Sequence, residues 1–173
     1  MAFKLATDRL CLRHAHDDDA TFIKSLFNQP ECLKFIGDKE LHTSDDARNY
    51  INDRLIQSYQ INNFGLYIVE RRTDGDTIGL CGLVKRDYFP IADLGFAQLN
   101  DFVGQGYMFE ACKSVLDDCK QRLSLSRLLA ITMNSNQRSL KLLDKLGFVE
   151  SQSDRVNEVT NSDVVLSLSL DTP

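Results

Sequence analysis

Two glycines, Gly104 and Gly106, fix the local topology of this chain more tightly than any other part of it. Ahead of them, residues 91–98 read as a β-strand. Behind them, Met108, Ala111, Cys112, Val115, Leu116 and Cys119 recur at i, i+3 and i+4 and predict a helix with one buried face. Arg127–Met133 is β-like again. Strand, glycine loop, helix, strand is a crossover unit, and such units are right-handed in nearly all cases. The loop therefore belongs at the carboxyl end of its strand, where ligand clefts open. Glycine lets main chain come close to a ligand there. The amides of Gly104, Gln105, Gly106, Tyr107 and Met108 lie where the helix begins, with free N–H groups and the positive end of the helix dipole facing outward. That is the outline of an anion cradle, although two glycines also suit a plain strand-to-helix turn.

The rest of the chain extends this unit into a single layered domain. Residues 9–13 alternate with period two. Asp17, Asp18 and Asp19 then offer N-caps for a helix that carries Phe22, Ile23, Leu26 and Phe27 on one face and stops near Pro30. Ser44 starts a second helix with Ala47, Tyr50, Ile51, Leu55 and Ile56 on its packing face. Strand-like runs at 64–70 and 77–85 flank Asp74-Gly75, whose preference for positive φ predicts a tight hairpin. A short helix over 139–146 is ended by Gly147 at its C′ position, and 164–170 alternates as a final strand. The predicted fold is α/β, with seven strands in a mixed, mostly antiparallel sheet and about four helices. One domain covers residues 1–173, since no repeat, low-complexity tract or Pro/Gly-rich linker divides the chain.

Charge and cysteine usage narrow the function classes. The formal net charge is -5, which argues against a broad electropositive surface for nucleic acid or anionic membrane. Five cysteines without a CxxC spacing do not suggest a disulfide framework or a structural zinc site, and they fit a reducing compartment. His14 and His16 lack a third ligand nearby, so no metal is expected. No apolar leader follows Met1, and no run approaches the roughly 18 apolar residues of a membrane span. The expectation is a soluble, cytoplasmic protein.

The glycine loop is not a P-loop, because no Gly-Lys-Ser/Thr follows it. Nor is it a dinucleotide fingerprint, because the third glycine is absent. What remains is the run from Val103 through Gly104-Gln105-Gly106-Tyr107-Met108 to Ala111. One crossover later come Asn134, Asn136 and Ser139, then Leu142, Leu143 and Gly147-Phe148. Together these blocks resemble the GNAT acetyltransferases, and more narrowly the branch that acetylates protein N-termini, including ribosomal proteins. Thr7-Asp8-Arg9, Ile78-Gly79, Gly82 and Asp93-Leu94-Gly95-Phe96 are similar to that branch as well.

The resemblance implies a GNAT fold splayed at the centre of its sheet, between Phe96-Ala97-Gln98 and Ile131-Thr132-Met133. It implies acetyl-CoA as co-substrate. The pyrophosphate would sit on the amides of Gly104, Gln105, Gly106, Tyr107 and Met108, with the pantetheine arm beside Phe96, Ala97 and Gln98 and further contacts from Asn134 and Asn136. Asp93 matches the position of a carboxylate base acting directly or through water, and Ser139 that of a proposed acid near the thioester sulfur. Ser139 also suits a helix cap. The tyrosine that many relatives use as acid is here Leu143, and Val103 and Met108 depart from the family's commonest loop.

The implied activity is acetyl transfer to an amine, a protein N-terminal α-amino group before a polyamine or amino sugar. A non-catalytic acyl-CoA-binding module stays open as an alternative. Implied partners are the amine acceptor, with a ribosomal protein as one candidate and no nucleic acid or membrane; a homodimer stays open. The acceptor is expected between the loop at residues 35–42 and the loop at 154–162. Asp38, Glu40, Asp154 and Glu158 in those loops would suit a cationic amine.

Overall fold

A computed structural model of the chain describes residues 3–171; Met1, Ala2, Thr172 and Pro173 lie outside the described residues, as do those ends of the predicted 1–173 domain. Eight strands make one sheet in the order β1-β2-β3-β4-β5-β6-β8-β7. They are β1 (Lys4–Ala6), β2 (Leu10–Arg13), β3 (Leu66–Arg71), β4 (Thr77–Val84), β5 (Asp93–Gln98), β6 (Arg127–Met133), β7 (Val149–Glu150) and β8 (Asp163–Ser169). Every neighbouring pair is antiparallel except β5 and β6, which are parallel and joined by the crossover. The seven strands expected become eight because β1 adds three residues along β2, a segment too short for alternation to register.

The helices are α1 (Ala20–Phe27), α2 (Pro30–Phe35), α3 (Ser44–Tyr50), α4 (Gln57–Asn62), α5 (Tyr107–Gln121) and α6 (Gln137–Lys145). A π-helical segment, Ile51–Ile56, joins α3 to α4 without leaving right-handed helical dihedrals, so those three pieces form one rod. Five rods therefore replace the four expected. The addition is α2, which begins at Pro30 itself. Proline there stops α1 and also sits at N1 of the next helix, where its missing N–H costs nothing. The helix expected to start at Ser44 is α3, which begins there and is capped by Thr43. Thr43 Oγ1 accepts from the Asp46 amide at 3.1 Å while Asp46 Oδ2 accepts from the Thr43 amide at 2.6 Å, a reciprocal box.

The core forms where the apolar faces meet. The buried face of α5 is Met108, Ala111, Cys112, Val115, Leu116 and Cys119. Ile23, Leu26, Ala47, Ile51 and Leu55 from α1 and the long rod join the same cluster, with Ile68, Val69, Ile78 and Leu80 from the sheet. All five cysteines are buried and unpaired. The predicted hairpin is present: Gly75 takes φ +79° and its amide donates to the Arg71 carbonyl at 2.8 Å. Among the described residues no helix is long and apolar enough to cross a membrane.

Candidate active site

The parallel pair β5 and β6 is where the sheet opens. The two strands register only at Asp93 and Leu129, where the Leu129 amide donates to the Ala92 carbonyl at 3.1 Å. On the other edge of β5, the Leu99 amide donates to Ile78 of β4 at 2.9 Å. Strand alternation between those two contacts turns the N–H and C=O of Phe96 into the gap, whereas Ala97 pairs with Leu80 of β4. The gap widens into a cleft of about 1230 Å³ lined by Phe96, Ala97 and Gln98 on one side and Ile131, Thr132 and Met133 on the other.

The glycine loop closes one end of this cleft. The Val103 amide is bonded to Asn100, and the next amide bonded to main chain near the helix start is that of Glu110, which donates to Gly106 at 3.1 Å. Between them, among the described residues, no main-chain carbonyl accepts from the amides of Gly104, Gln105, Gly106, Tyr107 or Met108. Gly104 and Gly106 hold φ of +81° and +79°, the left-handed region open to glycine, and a Cβ on Gly104 would meet nothing within 4 Å. Gly104, Gly106 and Met108 line the cleft; the side chains of Gln105 and Tyr107 do not. A latch fixes the loop from behind. Glu110 accepts from the Thr7 hydroxyl at 2.5 Å, the Arg9 amide at 2.9 Å and Arg9 Nε at 2.6 Å, while Arg9 Nη1 donates to the Gln105 carbonyl at 2.9 Å. Burial works to raise the Glu110 carboxyl, but these donors outweigh it and hold the group below the usual glutamate range.

Only three polar or charged residues are buried among those described: Asp19, Asp93 and Ser139. A buried polar group is costly unless a partner compensates it, so each needs a reason. Asp19 has a structural one, since both its oxygens accept from Arg13 at 2.8 Å and tie α1 to β2. Asp93 and Ser139 both line the cleft.

Asp93 begins β5 at the closed corner of the splay. Arg86 Nε donates to its Oδ1 at 2.9 Å and Arg86 Nη2 to its Oδ2 at 3.2 Å. Burial pushes the Asp93 carboxyl above the ordinary aspartate range, and the Arg86 guanidinium offsets part of that rise. A carboxylate has about four acceptor sites, so this two-point pairing leaves about two for water or an amine. Ser139 is the third residue of α6, not its cap. Asn136 caps the helix, its Oδ1 accepting from the Ser139 amide at 3.1 Å, and among the described residues the Ser139 hydroxyl makes no hydrogen bond. Leu143, one turn on, is buried and lines the cleft without a hydroxyl. Asn136 also lines the cleft; Asn134 is exposed outside it in the turn before α6.

The expected acidic acceptor end is not what the cleft shows. Asp38, Glu40, Asp154 and Glu158 do not line it, and Asp154 is held by Arg127 and Ser151 instead. Lys39, Arg54, Lys85 and Arg86 line it beyond Asp93, and Arg138, Lys141 and Lys145 line the side of α6. Sequence reasoning missed Lys39, Arg54 and Arg86. The one signal available was Arg86 seven residues before Asp93, and it becomes meaningful only once the β4–β5 connection folds back.

Residues 9–149 match the family model described as an acetyltransferase (GNAT) domain, which is most of the chain. The chain belongs to the GNAT acetyltransferase family. A ribosomal protein uS5-alanine N-acetyltransferase of Escherichia coli is 28% identical over 156 residues, covering 84% of this chain and 77% of that protein. An acetyltransferase from Agrobacterium tumefaciens superposes with a TM-score of 0.84 at 20% identity, over 97% of this chain and 95% of that one. RimL, a ribosomal alpha-N-protein acetyltransferase in complex with coenzyme A, superposes with a TM-score of 0.76 at 15% identity, over 96% and 98% of the two chains. GNAT acetyltransferases use acetyl-CoA, and the residues present fit that group: five main-chain amides unmatched by the protein's own carbonyls, an open side at Gly104, and the unpaired edge at Phe96. Among the described residues no group of His, Cys, Asp or Glu is arranged to hold a metal.

Proposed function

We propose that this GNAT acetyltransferase moves the acetyl group of acetyl-CoA to the α-amino group of a protein N-terminus, by direct attack of the amine. The single observation that carries the catalytic part is that the two buried polar groups without a purely structural duty, Asp93 and Ser139, both line one cleft. The likeness to ribosomal-protein acetyltransferases supports the choice of acceptor.

When bound, acetyl-CoA supplies a thioester carbonyl and a thiolate leaving group. Its pyrophosphate is held by the amides of Gly104, Gln105, Gly106, Tyr107 and Met108, where the dipole of α5 adds to the hydrogen bonds. Phe96 offers main-chain groups to the amide-bearing arm, Ala97 and Gln98 form the wall beside it, and Asn136 borders it from the cap of α6. Asn134, exposed on the turn before α6, would add a contact from outside the cleft lining.

Asp93 takes the proton of the incoming ammonium through a water, because its short side chain is drawn back into the Arg86 pairing. The freed amine forms its C–N bond as the C–S bond breaks; the Ser139 hydroxyl gives a proton to the departing sulfur, and the second proton shed by the attacking nitrogen returns through water to Ser139. No acyl-enzyme is needed, and the cysteines, all buried, supply no nucleophile. We place the reaction in the cytoplasm, where buried free thiols persist.

The test is an acceptor comparison. Purified enzyme with acetyl-CoA is offered peptides with free N-termini, polyamines and amino sugars, and products are located by mass spectrometry. The expected result is acetylation at the peptide α-amine, with kcat/KM at least about tenfold above that for any small amine. A polyamine or amino sugar preferred over every peptide contradicts the assignment.

A further inference from the structure

We infer that the acceptor end of the cleft recognises an anionic group, and that the N-terminus acetylated is one followed by acidic residues. This rests on the N-terminal reading given above and deepens it. Three separate pieces of chain bring positive charge to the same end. Lys39 comes from the loop between α2 and α3, Arg54 from the π-helical segment of the long rod, and Arg86 from the connection between β4 and β5. The molecule as a whole carries a net charge of -5, so this convergence runs against its average.

The cations there are largely unspent. Arg86 is paired with Asp93, but among the described residues neither Lys39 nor Arg54 makes an ion pair, and the carboxylates that line the cleft besides Asp93 are Glu31, Asp53 and Asp163. Desolvation by the cleft walls, then the fields of Arg86 and Arg54, press the Lys39 ammonium below the ordinary lysine range. Like charges held together in a partly desolvated cleft repel one another, and an anion between them relieves that cost. A polyamine would meet the same repulsion. A peptide with Asp or Glu just after its first residue brings the α-amine toward Asp93 and leaves its carboxylates among Lys39, Arg54 and the open flank of Arg86. The charge that matters could equally be the carboxylate of a free amino acid, so the test separates the two.

The experiment measures kcat/KM for peptides that share one N-terminal residue and carry Asp/Glu, Ser or Lys at the second to fourth positions, alongside free amino acids and spermidine. The expected order is acidic, neutral, basic, with acidic above basic by at least about tenfold, and with the gap narrowing as salt is raised. The double variants Lys39→Gln/Arg54→Gln and Lys39→Glu/Arg54→Glu should flatten and then reverse that order, mainly through KM. Thermal melts identify either pair as folded, and the milder one serves if the reversal unfolds. Peptides acetylated without regard to charge, or in an order the variants leave unchanged, would overturn the anion assignment while leaving N-terminal acetylation standing. Free acidic amino acids used while every peptide is refused would keep the anion site and sink the N-terminal reading. Preference for basic peptides or spermidine overturns the anion assignment, and turnover of none of these acceptors overturns both.

Discussion

Asp93 and Ser139 do opposite things with protons, and their surroundings suit them to it. Desolvation raises the affinity of buried Asp93 for a proton, which is the direction a base requires, while the guanidinium of Arg86 beside it favours the ionised form and offsets part of that rise. Because the base must be ionised, the acid limb of the rate profile should lie above the ordinary aspartate value. Replacing Asp93 by Asn should lower kcat/KM most just above that limb, where the carboxylate is ionised and the amine still arrives protonated, and progressively less as pH nears the pKa of the amine itself. A pH–rate profile that keeps its wild-type shape contradicts the role. Ser139→Ala removes a hydroxyl that makes no hydrogen bond among the described residues, so it should cost little stability. It should lower kcat by about a hundredfold with the KM for acetyl-CoA nearly unchanged, because general acid help is typically worth about 10² to 10⁴. Steady-state kinetics beside a melting curve checks both halves. Ser139 could be singled out from sequence because a family motif surrounds it. That it is not a helix cap could not, because Asn136 and Ser139 are equally good capping residues and only the position of the first helical turn decides between them.

At the scale of elements, the glycine loop is held as much from outside as from within. Glu110 lies on the first turn of α5 and gathers Thr7 and Arg9, residues of the connection that leads into β2, so the β1–β2 connection and the loop move together. Glu110→Ala would leave the Arg9 amide and the Thr7 hydroxyl without their acceptor. It should cost about 1–2 kcal/mol, a fall in Tm of about 2–8 °C. CoA should also bind several-fold more weakly, as the Gln105 carbonyl loses the Arg9 that the carboxylate positions. A melt and a titration together test this, and full CoA affinity in the variant contradicts the latch. The long periodic elements were readable in advance: the buried face of α5 is the face its spacing predicted, residue for residue. Short or irregular ones were not. β1 is three residues, α2 hides behind a proline that reads as a stop, and the π-helical turn at residues 51–56 shifts Arg54 in a way no 3.6-residue pattern anticipates.

For the whole molecule, one break in sheet pairing organises everything else. β5 and β6 meet at a single register point and then part, which exposes strand edge, puts Asp93 at the closed corner and leaves α5 and α6 to frame the opening. The order of strands around the glycine loop was legible because local patterns dictate it. The charge of the cleft was not, because Lys39, Arg54 and Arg86 are distant in sequence and meet through tertiary packing alone; the acidic residues of the loops at 35–42 and 154–162 pointed the wrong way. Cofactor binding, and with it the whole reaction, depends on the unmatched amides at the start of α5. Calorimetric titration of CoA into the wild-type protein and into Gly104→Glu tests it most directly, since the added side chain enters open cleft at the cradle with a negative charge. The account predicts one CoA per chain for the wild type and an affinity at least about a hundredfold weaker for a folded variant. Equal affinity for both proteins would contradict it.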